Sequence, residues 1–413
     1  MAEETTADTE RGSKRIKDDE SIRFYLLPFR ELLDEEGITE IAFNRPDTGT
    51  IFVEKFGRWE ERPFDLRSTD ALIARSEAKA SVLRAMRKIG LADETPEGTA
   101  AVHDGSAAKK LFDHVNSLAT AVASWNDDDF SDVKPILSAT LPDGERVQFV
   151  RAPACLKGTI SMTIRRPSFD VRSIDDYEEQ GFFDKIAPVS TSRSGDDELE
   201  ELYVSMLDEN LRQTDRVWAR RKFLTRAVEL GRTVVIAGGT GSGKTTFMKA
   251  LMQSIPVDQR IITIEDVPEL LYGLPNHRNQ VNLLYPSEAT ASSPVNAAKL
   301  MKSCLRMKPD RILLAELRSG ETYDWLNSVL SGHSGSITSC HANNCTAVFD
   351  YLALKVLQSD TGRNLPYDHI RRLLYDVIDV VCHIQNNHGE RHITEVYFKH
   401  HHDREAEKGA EPR

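Results

Sequence analysis

The C-terminal half of the sequence predicts an α/β fold with a mostly parallel sheet, and a smaller α+β domain precedes it. One observation is a series of β-rich runs at residues 233–237, 260–264, 311–315, 336–340, 380–384 and 392–398, alternating with helical stretches. Such alternation puts helices on both faces of a parallel sheet. A second is the glycine-rich run Gly238-Gly239-Thr240-Gly241-Ser242-Gly243-Lys244-Thr245-Thr246, entered from the β-branched Thr233-Val234-Val235-Ile236-Ala237 and left through the amphipathic Phe247-Met248-Lys249-Ala250-Leu251. A third is length: 413 residues exceed one ordinary core and suggest two domains.

Along the chain, the first twenty residues are charged and lack an apolar stretch, so residues 1–21 read as a disordered tail and not as a secretory signal. Residues 22–167 form the α+β domain. Within it, Glu40-Ile41-Ala42-Phe43 and Thr50-Ile51-Phe52-Val53-Glu54 alternate as strands around the turn Asn44-Arg45-Pro46-Asp47. Residues 111–124 have helical spacing, and 136–141, 146–150 and 161–165 return to strand character around Pro142-Asp143-Gly144. Residues 168–216 are acidic and polar and read as an interdomain linker, although Leu199, Leu202, Tyr203 and Met206 share a helical face. The second domain spans 217–399. Residues 400–413, with His400-His401-His402, read as a charged, solvated tail.

Composition narrows the classes. No run of about 18 apolar residues exists to span a bilayer, and 40% hydrophobic with 29% charged residues is a soluble balance, pointing to the cytoplasm. The net charge of −12 opposes extensive contact with nucleic-acid phosphates, although a basic stripe lies at residues 216–222. Five scattered cysteines, an odd number, argue for reduced thiols, and Cys340 and Cys345 around His341 lack paired zinc spacing.

The chemistry is concentrated around the glycine-rich run. The pattern G-x-x-x-x-G-K-[ST] is a phosphate-binding loop: its backbone must curl around an anion and aim successive N–H groups at it. Residues 239–246 (Gly239, Thr240, Gly241, Ser242, Gly243, Lys244, Thr245 and Thr246) would cradle a nucleotide, with Lys244 on the β/γ-phosphates and Thr245 on Mg²⁺. After the next strand come Glu265, Asp266 and Glu269, which would share the same crevice beyond the carboxyl ends of the strands. A nucleotide hydrolase needs a carboxylate to orient water, and the alternative for this cluster is a helix cap, for which Asp266 or Glu269 is suited. Glu316 ends the strand Ile312-Leu313-Leu314-Ala315 and can bind metal through water.

The phosphate loop GGTGSGKTT, the acidic box ITIEDVPEL, the segment LRMKPDRILLAELRSGET and the box GHSGSITSCHAN occur in the order seen in secretion ATPases of type II and type IV systems. The stretches ITEIAFNRPDTGTIFVEKFGRWEE, LPDGERVQFV and TIRRPS resemble the type IV, DNA-transfer branch, and the resemblance covers residues 22–398. It implies a RecA-like ATPase domain and a homohexameric ring. Such a ring would hydrolyse ATP with Mg²⁺ to power assembly of, or export of DNA or protein through, a type IV secretion channel. It further implies partners among inner-membrane channel components and coupling ATPases, with peripheral association at the inner membrane. By the same resemblance Lys244, Glu265, Asp266, Glu269, Glu316 and His341 are catalytic, Thr245 and Glu316 serve the metal, and His333 belongs to the histidine box. Arg165 or Arg166, and less directly Arg146 or Arg151, match arginines that approach nucleotide phosphates. Departures from the pattern are Ala315 in place of a common glycine, Cys340 before the second histidine, and the long linker. The runner-up is a type II secretion or pilus ATPase, disfavoured by the absence of a four-cysteine zinc module. A helicase and a nucleotide-switched scaffold with negligible turnover are further alternatives.

Overall fold

The computed structural model describes residues 19–66, 105–168, 171–189, 192–290 and 292–409. Most of the expected N-terminal tail, residues 1–18, lies outside the described residues.

The N-terminal unit opens with helix α1 (Glu20–Leu33). Sequence reading assigns no element there. Ile22, Leu26, Phe29 and Leu33 nonetheless lie at helical spacing and are buried, with Pro28 inside the helix masking the signal. Strands β1 (Ile38–Phe43), β2 (Thr50–Lys55) and β3 (Arg58–Pro63) follow, then helix α2 (Gly105–Trp125) and strands β4 (Ile136–Thr140), β5 (Arg146–Arg151) and β6 (Ile160–Arg165). They form an antiparallel sheet in the order β3-β2-β1-β6-β5-β4. Phe29 of α1 and Val115, Leu118 and Val122 of α2 cover its apolar face, meeting Ile41, Val53, Phe149 and Ile164.

The stretch 168–216 departs from the linker expectation. A short exposed helix α3 (Ile174–Glu179) is closed by a capping box between Ser173 and Asp176. Beyond it, α4 (Asp196–Leu207) is part of the core: Leu199, Leu202, Tyr203 and Met206 bury against Phe223 and Ala227 of α5 (Gln213–Glu229). Of the acidic run that argued for a solvated connector, Asp197, Glu198 and Glu201 are exposed away from that core. Asp196, at the start of α4, is buried and pairs with buried Arg232 at 2.7 Å.

The remaining elements are β7 (Val234–Gly238), α6 (Lys244–Met252), β8 (Ile261–Glu265), β9 (Gln280–Leu284), α7 (Ala297–Cys304), β10 (Arg311–Leu314), α8 (Glu321–Leu330), β11 (Ile337–Cys340), α9 (Ala347–Val356), α10 (Tyr367–Val377), β12 (Val380–Asn387), β13 (Glu390–Phe398) and α11 (Lys399–Gly409). Two blocks run β10-β8-β9 and β11-β7-β12-β13, with every pairing parallel except β12 with β13. Hydroxyls join the blocks where the ladder is interrupted: Ser336 Oγ donates to Ile312 O and Ser339 Oγ to Ala315 O, both at 2.8 Å. Trp325 of α8 is buried and donates its indole N–H to Ser336 Oγ at 2.9 Å.

Strand period two explains the helices on both faces. Val235 and Ala237 of β7 face Trp325, Phe349 and Ile370, whereas Val234 and Ile236 face Tyr203, Phe223 and Met248. The C-terminal segment read as a tail is helical through residue 409: His401 lies 4.8 Å from the Tyr203 ring and 2.8 Å from Glu200, and His402 stacks on Tyr397 at 4.6 Å.

The two units meet along β9. Leu284 N–H donates to Ala154 O at 2.9 Å. At the other end of the seam the fully buried Arg260 donates to Asn44 (2.7 Å), Asn279 (2.6 Å) and Thr163 (3.2 Å), and its guanidinium lies 5.2 Å from the Trp59 ring centre. Nearby, burial pushes the Glu40 carboxyl up to about 7, although Lys308 and Arg165 pull it down. A carboxyl whose folded pKa exceeds its unfolded value of 4.5 binds its proton more tightly in the folded state, so stability falls as pH rises from 4.5 towards 7. Glu40→Gln is therefore expected to stabilise the protein at pH 8 by up to about 3 kcal/mol, with the gain vanishing below about pH 5. Denaturant midpoints measured across that range check it, and a pH-independent difference would remove the carboxyl as its source.

Candidate active site

The phosphate loop leaves β7 beside β12 and ends at the start of α6. Gly238 is dictated by space and Gly243 by its backbone conformation. A Cβ on Gly238 would lie 2.4 Å from Ile384 O, and one on Gly243, at φ +96°, would lie 3.1 Å from Arg391 Cδ. Gly239, Thr240 and Gly241 are exposed, so the loop's concave side is open at the positive end of α6, where an anion is stabilised. Ser242 is buried, and its Oγ has no hydrogen-bond partner. Thr245 is half-buried and Thr246 exposed in the first turn of α6.

Lys244 is 8% exposed and folds back on its own loop, donating to Gly238 O at 3.0 Å and Gly239 O at 3.1 Å. Burial lowers its pKa, partly offset by the charge of Glu316. Strand order puts Lys244 and Glu316 in one crevice: β11 pairs in parallel with β7, and Ser339 of β11 bonds Ala315 O, just before Glu316.

Glu316 follows β10 with its side chain 14% exposed. Its Oε2 accepts from Arg318 at 2.7 Å, and its Oε1 lies 2.6 Å from His341 Nε2. Arg318 also donates to Asp266 Oδ2 at 2.6 Å and so clamps the acidic box to the end of β10. Sequence reading passed over Arg318, although it stands inside the Glu-Leu-Arg of a motif already singled out.

The three carboxylates after β8 divide by environment. Glu265 is fully buried and accepts from the backbone N–H groups of Glu269 (2.8 Å), Leu270 (2.6 Å) and Leu271 (3.1 Å). Burial pushes its carboxyl up while these bonds pull it down. Glu265 is thus the cap of the turn Leu270–Tyr272, the role considered for Asp266 or Glu269, and its oxygens are not available to a substrate. Asp266 is held by Arg318, and Glu269 is exposed.

Strand polarity separates other expected residues from the loop. The start of β11 lies beside the start of β7, where Gly335 approaches Gly231 and Arg311. His333 precedes it and therefore sits at the opposite end of the sheet, its Nδ1 buried without a partner. His341, just after β11, is at the loop's end. Strand β6 runs from the exit of β9 towards Arg260, so Arg165 and Arg166 also lie at the far end; Arg165 is 3.7 Å from Glu40. Arg146 pairs in register with Arg165 and shares that end. Arg151 lies towards the exit of β9, but its guanidinium is committed to Asn116 (2.8 Å) and Asp132 (2.7 Å).

Thr245 and the largely buried carboxylate of Glu316 offer hard oxygen donors at the loop's end of the sheet, a donor set that suits Mg²⁺. Among the described residues no group of three or more His, Cys, Asp or Glu could cage a metal.

A family described as type II/IV secretion system protein matches residues 202–359. The type IV secretion system protein VirB11 of Brucella abortus is 47% identical over 388 residues, covering 93% of this chain and 91% of that protein. PtlH of Bordetella pertussis, another type IV secretion system protein, is 38% identical over 384 residues, covering 92% and 95%. The crystal structure of the VirB11 ATPase of Brucella suis, in complex with sulphate, has a TM-score of 0.73 to this chain at 45% identity, covering 94% of this chain and 97% of that one.

Proposed function

This chain belongs to the VirB11 family of type IV secretion ATPases, and from that premise we propose that a ring of six copies converts ATP hydrolysis into movements that power a type IV secretion channel. The enzyme is an ATP-hydrolysing secretion ATPase. The observation that carries the reading is the convergence of Lys244, Glu316, Arg318 and Asp266 beside an open phosphate loop.

The loop N–H groups and the α6 terminus bind the phosphates. Lys244 exchanges its two loop carbonyls for phosphate oxygens, and its ammonium stabilises charge that develops as the γ-phosphoryl leaves. Thr245 and Glu316 would hold Mg²⁺, which would supply charge neutralisation at the phosphate oxygens. Glu316 or the exposed Glu269 orients the attacking water. Arg318 fixes Glu316 relative to Asp266, and His341 beside Glu316 Oε1 is placed to sense the γ-phosphate. We assign the RecA-like ATPase domain a start at α4, because that helix packs into its core, and residues 22–167 a separate N-terminal domain. Arg165, Arg166 and His333 stand outside the site built by one chain.

No described helix is long and apolar enough to cross a membrane. The proposal places the chain at the cytoplasmic face of the inner membrane, attached peripherally through channel components. The purified protein is expected to release phosphate from ATP only with Mg²⁺ and to sediment as a hexamer when nucleotide is bound. A monomer with full turnover would overturn the ring.

A further inference from the structure

The hairpin of β12 and β13 leans on the phosphate loop, and the loop sequence does not announce it. Residues 385–395 are exposed along their whole length. Two contacts tie this projection to the loop. Asn386 Nδ2 donates to Gly241 O at 3.2 Å, and the Arg391 side chain crosses Gly243, its Cδ 3.1 Å, Nε 3.5 Å and Cζ 3.9 Å from the position a Cβ there would take.

Arg391 is exposed, and its guanidinium has no hydrogen bond or ion pair among the described residues. The other arginines near the site are committed: Arg318 to two carboxylates and Arg151 to Asn116 and Asp132. An unpaired guanidinium, held by its stem against the last glycine before the catalytic lysine, has all its N–H donors available to an anion. Its planar fork suits phosphate oxygens, and the nearby loop N–H groups and helix terminus favour the same ligand.

We propose that Arg391 is a nucleotide-contacting residue that closes over the bound polyphosphate from the side opposite the Glu316 cluster, with Asn386 anchoring its hairpin to the loop. The assignment rests on the ATPase reading above. Arg391 meets phosphates present in both ADP and ATP and is distant from the carboxylates that orient water, so it acts as a clamp on binding more than on the chemical step.

The test is equilibrium binding of fluorescent ADP and of a non-hydrolysable ATP analogue to the full chain carrying Arg391→Ala, Arg391→Lys or Lys244→Ala, with pyrophosphate as a competitor. Arg391→Ala is expected to weaken both nucleotides and pyrophosphate by about tenfold, with KM rising in step and kcat falling far less. Arg391→Lys should recover part of the loss, and the gap from wild type should narrow at high salt. Unchanged affinities in Arg391→Ala, with binding or turnover still lost in Lys244→Ala, would overturn the clamp and leave the ATPase reading standing. Loss of nucleotide affinity with unchanged pyrophosphate affinity would mean contact with the base and would equally overturn it. No effect of Lys244→Ala on binding or turnover would instead count against the ATPase site itself.

Discussion

Lys244→Ala is expected to lower ATP turnover by about 10³-fold, the largest effect of any single substitution in this chain. The ammonium is buried and positioned by Gly238 O and Gly239 O, so it reaches the phosphates without a change of fold. Its removal leaves two carbonyls at the open mouth of the loop, where water can replace it, and the variant should unfold at close to the wild-type temperature. Lys244→Arg should not rescue turnover, because a planar fork cannot occupy the site of a compact ammonium enclosed by its own loop. Phosphate release measured on the folded variant decides the matter: turnover within about threefold of wild type would remove Lys244 from the chemistry.

The second large effect is expected at Glu316. Glu316→Gln preserves shape but removes the charge that faces Arg318 and His341, so ATP binding should persist while hydrolysis falls by about 10²-fold or more. Glu265→Gln is the informative contrast. Glu265 spends its oxygens on three backbone N–H groups, and its loss should appear first as lowered thermal stability. If Glu316→Gln lost binding and hydrolysis equally, the carboxylate would be structural; if Glu265→Gln lost only hydrolysis at unchanged stability, the cap assignment would fail.

Much of the site was legible because its parts are local. A phosphate loop is one short consecutive run, here Gly238 to Thr245, between a strand and a helix, and its conformational demands are written into it, down to the glycines at 238 and 243. The β-branched runs that became β7, β8 and β10 were equally plain, since strands buried on both faces are nearly continuous in apolar residues; β11, the buried start of β12 and the end of β13 were also found. Strand β9 was missed because Asn282 breaks its run; its side chain is satisfied by Thr263 Oγ1 at 2.9 Å across the ladder. The apolar face of α4 was visible but discounted, because its acidic neighbours suggested solvent and only packing against α5 reveals which face counts.

By itself the sequence determined the loop, the strand alternation and the order of the motifs, because each depends on residues within a few positions of one another. Only the tertiary structure decided which motif residues meet. Parallel strands carry their chemistry at one end, so His341 reaches the loop and His333, eight residues earlier, does not; Arg165 and Arg166 are likewise carried away by the direction of β6. It also decided that Glu265 caps a turn, that Arg318 bridges Asp266 and Glu316, and that Arg391 crosses Gly243. The pairings of Arg318 with Asp266 and of Arg391 with Gly243 join segments tens of residues apart, and their geometry follows from sheet order and strand polarity, which local propensity does not encode; Glu265 caps a turn close by in the chain, but only its burial at the end of β8 commits it there.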